Sequence, residues 1–277
     1  MERKIKLEDI YIFNSQKPKG DTKMKILFPE KDDSRIIKAV DILNRENICE
    51  AILGNNDLQI AAKELLDGNV DAVIAGATNS TADVLRAGIK TVGTKSGLVS
   101  SFMLMTQNDK TFAFADCAVV PTPTAEQLTQ ITINTADNFY KITKQIPSIA
   151  LLSYSTLGSA DGETVKKMQT VLSNVKALRP DLNIDGEMQF DAAVDINVAK
   201  IKTPHSTVAG RANVFIFPDL NSANIGYKIA ERIGGAKAVG PIIQGLNKPM
   251  MDLSRGCSTD DIIDLVKVVI KLYGETR

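Results

Sequence analysis

The sequence has little of what disulfide, zinc or histidine chemistry requires. Its three cysteines, Cys49, Cys117 and Cys257, lie far apart and form no Cys-x-x-Cys pair. Such a sparse, odd number argues against a disulfide framework and a structural zinc site, and a reducing cytoplasm is the simplest compartment. The single histidine, His205, follows Pro204 in a polar stretch. We interpret it as a surface-loop residue, not as a triad base or metal ligand.

An excess of charge of either sign is also missing. Lys plus Arg and Asp plus Glu both number 33, so the formal net charge is zero and neither a nucleic acid nor an acidic membrane is expected as partner. No run approaches the roughly 18 apolar residues of a membrane span. The first residues, 1–6, lack the apolar segment of a signal peptide. The 277 residues, 44% hydrophobic, suffice for one large domain or two medium ones.

Two common nucleotide motifs are absent. No Gly-x-Gly-x-x-Gly follows the first apolar run, so a Rossmann fingerprint is excluded. Residues 88–96 resemble a P-loop, but one residue too many separates the second Gly from the Lys. That stretch also follows a predicted helix rather than a strand, so we do not interpret it as a phosphate-binding motif.

The first seventy-five residues alternate between strand-like and helix-like patterns. Residues 1–23 predict a short helix and a loop, and strands are predicted at 24–28, 51–53 and 70–75. A helix capped by Ser34 and a second helix over 58–66 separate the strands. This alternation predicts a parallel sheet with crossover helices.

The rest of the chain continues the alternation, apart from a hairpin predicted over residues 100–116. Thr124 and Gln127 form a capping box for a helix that extends to about Lys144. The remaining predictions are strands at 149–153, 184–190, 213–217 and 238–243, and helices at 162–178, 191–200 and 224–233.

The interruption at the hairpin suggests two domains. We predict an α/β protein of two three-layer αβα domains with mainly parallel sheets, the first formed by residues 1–99 plus 244–277 and the second by 100–243. Polar loops follow four predicted strands, at 76–83, 153–159, 218–224 and 244–257. Ligands bind at that edge of parallel sheets, so a cleft between the domains is the expected site.

The last of these loops carries the densest chemistry. Lys248, Asp252, Ser254, Arg255 and Cys257 precede a helix that begins at Ser258. Asp261, three residues on, fits either a capping-box acid or a general base. The start of a helix favours binding of an anion, and the guanidinium of Arg255 in the preceding loop suits a phosphate. The alternative for Arg255 is a surface ion pair with Asp252.

Other candidates also have two interpretations. Ser254 is a nucleophile or, better, a hydrogen-bond donor, because no usual base adjoins it in sequence. Cys257 is a nucleophile near a helix start or, more commonly, a small buried thiol. Arg86 and Arg232 lie on helices that follow polar loops, as solvated charges or as partners of a polyanionic substrate.

Several long motifs, in order, closely resemble those of phosphate acetyltransferase (phosphotransacetylase), in the phosphate acetyl/butyryltransferase family. They are Phe28–Glu30, Phe114–Ala118, Leu151–Thr156, Asp185–Ala193, Gly210–Asn221, Asn224–Lys228 and Lys248–Ser258. The resemblance covers nearly everything from about residue 70 onward. It implies reversible acetyl transfer between acetyl phosphate and coenzyme A, without a metal or a permanently bound cofactor and with coenzyme A as a substrate. It also implies the two-domain architecture of the isocitrate and isopropylmalate dehydrogenases, and usually a homodimer.

The resemblance also implies roles for individual residues. Asp261 matches the aspartate that takes the thiol proton, Ser254 the serine that steadies the transition state, and Arg255 the arginine that binds phosphate. The substrate-binding set that it suggests is Arg86, Arg232, Ser80, Thr81, Tyr227 and Cys257.

This sequence departs from the family pattern in places. It is shortened between Gly54 and Val70, where a family arginine implicated in coenzyme A binding is missing. Met251 and Val120 each stand where Asn is usual, and His205 replaces an acid. Two alternatives therefore accompany the acetyltransferase: an enzyme like phosphate butyryltransferase that acts on longer acyl groups, and a catalytically silent binding or regulatory relative.

Overall fold

The computed structural model describes residues 23–274, so the helix and loop expected over residues 1–23 lie outside the described residues except for Lys23. The chain forms two compact units. The first comprises Met1–Val99 and Val239–Arg277, and the second comprises Ser100–Ala238. Strands alternate with helices in both, and the predicted α/β class with mainly parallel sheets is confirmed.

The first unit is built on a four-stranded parallel sheet in the order β10-β3-β1-β2. Its strands are β1 (Lys25–Phe28), β2 (Glu50–Leu53), β3 (Ala72–Ala75) and β10 (Met250–Asp252). Its helices are α1 (Ser34–Arg45), α2 (Leu58–Asp67), α3 (Thr81–Ala87) and α9 (Thr259–Tyr273). All four residues of β3 are buried, as expected of an inner strand in a parallel sheet.

The second unit begins with the predicted hairpin, which is confirmed as an antiparallel pair. Its strands are β4 (Ser100–Gln107), β5 (Lys110–Ala115), β6 (Ser148–Leu152), β7 (Asn183–Met188) and β8 (Val214–Ile216). Its helices are α4 (Ala125–Thr143), α5 (Glu163–Leu178), α6 (Phe190–Val194), α7 (Ile196–Lys202) and α8 (Leu220–Arg232). The sheet order is β7-β6-β8-β5-β4-β9, where β9 (Lys237–Gln244) carries the chain across the unit boundary.

Several local predictions need correction. The cap of α1 is Asp33 rather than Ser34, because the Asp33 carboxylate accepts from two backbone N–H groups of the first turn. The helix predicted over 191–200 is two helices, since Asp195 adopts an extended conformation and caps α7. Helix α8 begins at Leu220 instead of residue 224 because Asp219 caps it.

The predicted loop over 244–257 contains a strand. Met250–Asp252 forms β10, which pairs in parallel with β3. Residues 88–92, the start of the P-loop-like stretch, form a π-helical turn that continues α3. The stretch that we do not interpret as a phosphate-binding motif is thus partly helical backbone.

Candidate active site

A segment that we call the signature loop, Leu253–Ser258, joins β10 to α9. The Leu253 N–H donates to the Ala75 carbonyl at 2.7 Å, so the loop leaves the sheet beside the end of β3. At its other end the Ser258 N–H and hydroxyl both donate to Asp261 Oδ2 at 2.8 Å. The Asp261 N–H returns a bond of 3.2 Å to Ser258 Oγ. The predicted capping box is confirmed, and it uses one oxygen of the Asp261 carboxylate.

Ser254 and Arg255 occupy the exposed turn of the signature loop. Ser254 Oγ accepts from the Gly256 N–H at 3.3 Å, and the Ser254 carbonyl accepts from the Cys257 N–H at 2.9 Å. Among residues 23–274 Arg255 forms no ion pair with Asp252, whose Oδ2 bonds Thr81 instead, although the charge of Arg255 acts to lower the pKa of Asp252. The Arg255 guanidinium is therefore exposed to solvent at the surface of its unit.

Asp252, by contrast, is 1% exposed at the end of β10. Its Oδ2 accepts from the Thr81 hydroxyl at 2.6 Å, and its Oδ1 has no hydrogen-bond partner among residues 23–274. Burial raises the pKa of this carboxyl to about 6, and the nearby charge of Glu30 acts in the same direction. The structure thus brings Thr81, a predicted binding residue, against the last residue of β10, next to the signature loop.

Arg35 is a residue of this region that sequence reasoning missed. Its Nη1 donates to the carbonyls of Arg255 at 2.7 Å and Cys257 at 3.0 Å, and its Nη2 donates to that of Ala77 at 2.8 Å. The Asp33 carboxylate pairs with the same guanidinium at 2.7 Å. Arg35 therefore links α1, the loop after β3 and the signature loop. Its only sequence signal is its position after the first strand.

Glu30 is a second such residue, and its side chain is buried with 2% exposure. Its carboxylate accepts hydrogen bonds from the consecutive backbone N–H groups of residues 76–79. Burial by itself would raise the pKa of Glu30, but the bonds from Asn79 and Thr78 outweigh it and the pKa lies below its usual value. The backbone donors of the first predicted ligand loop are therefore taken by an internal anion.

The same device recurs in the second unit. The Glu187 carboxylate accepts from Ser155 Oγ at 2.9 Å, the Gly158 N–H at 2.7 Å and Gln169 Nε2 at 3.0 Å. Asp116 accepts from the three consecutive N–H groups of residues 118–120. Asp116 follows an apolar run in the sequence, as Glu30 does, whereas Glu187 follows Asp185 and Gly186 and has no such signal.

Ser80 and Arg86 are not in the cluster with Asp252. Ser80 Oγ donates to Asp83 Oδ2 at 2.6 Å, and Arg86 Nη1 donates to Asp83 Oδ1 at 2.6 Å. The Arg86 side chain is 67% exposed, so the pair contributes little to stability. Both side chains are accessible at the start and end of α3.

The other two candidates, Tyr227 and Arg232, lie on α8 of the second unit. Tyr227 is partly buried against the hydrophobic core of that unit, and Lys228 Nζ lies 5.2 Å from its ring centroid. Arg232 is exposed in the last turn of the helix, 3.4 Å from the Glu231 carboxylate. His205 is exposed.

The three cysteines are free and buried. Burial raises the pKa of Cys257 to about 11, so this thiol fits the inert alternative better than the nucleophile. Among residues 23–274, no group of three or more His, Cys, Asp or Glu is arranged to hold a metal ion. None of the helices in that range is long and apolar enough to cross a membrane.

Comparison with known proteins places this site in a family context. The sequence model of the phosphate acetyl/butaryl transferase family matches residues 54–270. The phosphate acetyltransferase of Clostridium acetobutylicum is 47% identical over 221 residues, which are 77% of this chain and 66% of that protein. The phosphate acetyltransferase of Thermoanaerobacterium thermosaccharolyticum is 38% identical over 306 residues, which include 88% of this chain and 93% of that protein.

Solved structures agree. A phosphotransacetylase from Streptococcus pyogenes superposes with a TM-score of 0.86 at 35% identity, covering 92% of this chain and 95% of that one. A 4-hydroxythreonine-4-phosphate dehydrogenase from Klebsiella pneumoniae, at 11% identity and a TM-score of 0.50, shares the fold alone. The predicted likeness to a dehydrogenase architecture is thereby confirmed at the level of fold.

Proposed function

The chain belongs to the phosphate acetyl/butaryl transferase family, and from that premise we propose that it is a phosphate acetyltransferase, which transfers an acetyl group reversibly between acetyl phosphate and coenzyme A. The observation that carries the proposal is the signature loop. It presents an exposed serine and arginine beside a helix whose third residue is a carboxylate. The chain is also 35–47% identical to proteins named for this activity.

We assign the base to Asp261. Both capping bonds go to Oδ2, so Oδ1 can accept the thiol proton of coenzyme A while the cap persists. The thiolate then forms a bond to the acetyl carbonyl carbon, the bond from that carbon to the bridging phosphate oxygen breaks, and inorganic phosphate leaves. Cap and base are thus compatible functions of one carboxylate.

The charge that develops in this reaction needs donors. The Ser254 hydroxyl is assigned to the carbonyl oxygen and the Arg255 guanidinium to the phosphate, because both are exposed on the turn next to α9. A thiol needs one base, and no step requires a metal. Coenzyme A is a substrate in this scheme and no cofactor is permanently bound.

The remaining candidates are assigned to substrate binding. Arg86 and Arg232 are exposed cations that suit the phosphates of coenzyme A. Ser80 and Thr81 complete the proposed set at the start of α3, where their hydroxyls donate to Asp83 and Asp252. Tyr227 offers a partly buried ring. Cys257 is assigned to the wall of the site, since its thiol is buried and protonated.

The test is thioester formation from acetyl phosphate and coenzyme A by the purified chain, followed by absorbance. Asp261→Asn should lower kcat by about 100-fold or more, as loss of a general base does, while Asn Oδ1 keeps the cap and Tm changes little. Asp260→Asn is the matched control, because it removes an equal charge from the same turn. Unchanged kcat in Asp261→Asn would place the base elsewhere.

Two alternatives follow from a specific observation. The Thermoanaerobacterium alignment of 306 residues is longer than this 277-residue chain, so that relative contains internal segments without a counterpart here. A shortened chain is compatible with longer acyl groups or with loss of turnover. Propionyl and butyryl phosphate in the same assay identify a butyryltransferase, and no turnover on any of the three identifies a silent relative.

We also propose a homodimer, with a second copy covering α8. Ile225 and Ile229 on that helix and Ile233 at its C-cap recur every four residues and are 58%, 53% and 83% exposed. Ile229→Lys should halve the mass measured by light scattering, whereas Leu178→Lys, at another exposed apolar position, should not. The reducing cytoplasm remains the proposed compartment, supported by the three free thiols.

A further inference from the structure

The Glu30 carboxylate occupies a complete cradle of donors. Oε1 accepts from the N–H groups of Gly76 at 3.1 Å, Thr78 at 2.9 Å and Asn79 at 2.9 Å, and Oε2 accepts from that of Ala77 at 2.9 Å. The Thr78 hydroxyl and Asn79 Nδ2 add bonds of 3.1 and 2.8 Å to Oε1. Successive N–H groups of this kind form an anion-binding concavity.

This cradle stands where parallel sheets usually bind a ligand, at the carboxyl end of β3. With Glu30 inside it, the four backbone N–H groups of residues 76–79 are already bonded and cannot also hold a phosphate group. The anion that organises the loop is therefore the Glu30 side chain, 46 residues earlier in the chain. Unlike a bound ligand it cannot dissociate, and only a substitution at position 30 removes it.

Two further contacts connect the region that Glu30 holds to the signature loop and to the strand that precedes it. The Thr81 hydroxyl donates to Asp252 at the end of β10. The Ala77 carbonyl accepts from Arg35, whose other nitrogen holds the Arg255 carbonyl. These contacts tie residues 77 and 81 to Asp252 and to the backbone that carries Arg255.

We propose that Glu30 is a positioning residue for the acetyl transfer: its carboxylate is the internal anion around which residues 76–81 fold, and that fold fixes the signature loop. The inference rests on the proposed function. Glu30 touches neither substrate nor reacting atoms. It acts through Thr81, Ala77 and Arg35.

The experiment compares Glu30→Ala and Glu30→Gln with the unaltered protein. Glu30→Ala leaves an anion-shaped space lined by the six donor groups, and formate is small enough to enter it. We expect kcat to fall about 100-fold, as a displacement of about 1 Å in a catalytic group does, and formate to restore part of it. Glu50→Ala, on the neighbouring strand and exposed, is the matched control. Its kcat should equal that of the unaltered protein and should not change when formate is added.

Thermal unfolding supplies a readout that does not depend on turnover. Formate should raise the Tm of Glu30→Ala in a saturable manner, and chloride at equal ionic strength should not. Glu30→Gln keeps the volume but places an amide NH₂ against N–H donors, so its kcat should also fall and should not respond to formate. If Glu30→Ala does not fold, the kcat of Glu30→Gln tests the positioning role of Glu30.

The inference is overturned if the Glu30 variants keep kcat and KM while only Tm falls, or if formate changes neither Tm nor kcat of Glu30→Ala. An inactive unaltered protein would instead reject the proposed function. The saturable Tm response would still report on the cradle in that case, so the two failures are distinguishable.

Discussion

Asp252 should make the first unit less stable as pH rises. This carboxyl is 1% exposed, and only one of its oxygens has a hydrogen-bond partner among the described residues. Burial raises its pKa from 3.8 to about 6. The folded state therefore holds the proton more tightly than the unfolded chain does.

The size of the effect follows from that shift. At about 1.4 kcal/mol per pKa unit, an upward shift from 3.8 to about 6 amounts to about 3 kcal/mol of unfolding free energy. The contribution is fully present below pH 3.8 and is lost as pH rises through about 6. Above that range the protein contains a buried carboxylate whose desolvation is only partly compensated by Thr81.

Asp252→Asn removes the titration and keeps the shape. Its unfolding free energy relative to that of the unaltered protein should rise by about 2 kcal/mol between pH 4 and pH 8, whatever the offset at pH 4, because part of the total of about 3 kcal/mol is already lost at pH 4. Urea unfolding of both proteins at several pH values measures the difference, in which other titrating groups cancel. Asp260→Asn, an exposed change of the same kind, should give a flat difference.

A pH-independent difference for Asp252→Asn would refute the reasoning. It would mean that the carboxylate ionises in the fold without a desolvation cost. Thr81→Val provides a second check, because loss of its hydrogen bond to Oδ2 should move the inflection to higher pH.

Three further outcomes are expected. Arg255→Ala should raise the KM for acetyl phosphate about 10-fold or more with an unchanged Tm, because the side chain is exposed; an unchanged KM in steady-state assays would remove it from the phosphate site. Ser258→Ala should lower the unfolding free energy by about 1 kcal/mol in urea titrations, since it removes the hydroxyl that bonds both the backbone and the carboxylate of Asp261. Gly76→Ala should prevent accumulation of folded protein or lower Tm markedly, because φ is +109° and a Cβ would lie 2.7 Å from the Leu253 backbone; a Tm equal to that of the unaltered protein would contradict this packing.

Local signals predicted the elements that depend on neighbouring residues. The hairpin over 100–115 and the capping boxes of Thr124 and Ser258 appear as expected, since each is specified within a few residues. Strand β10 was missed because it has three residues and no readable period. Only its pairing with β3, far away in sequence, makes it a strand.

The candidate site divides in the same way. The signature loop and its resemblance to the family motif made Ser254, Arg255 and Asp261 candidates, because these residues lie within one short stretch of the sequence. Arg35 and Glu30 were not identified, since an arginine or glutamate after a strand is indistinguishable from a solvated surface charge.

By itself the sequence determined the α/β alternation, the capping boxes at Thr124 and Ser258 and the family motifs, all of which are specified within short stretches. Only the tertiary structure decided which charged side chain forms hydrogen bonds with which loop. Glu30 reaches Gly76 across 46 residues and Arg35 reaches Arg255 across 220. The physical reason is that a buried charge must be matched by donors, and the donors here are backbone N–H groups or a guanidinium that only folding brings within reach.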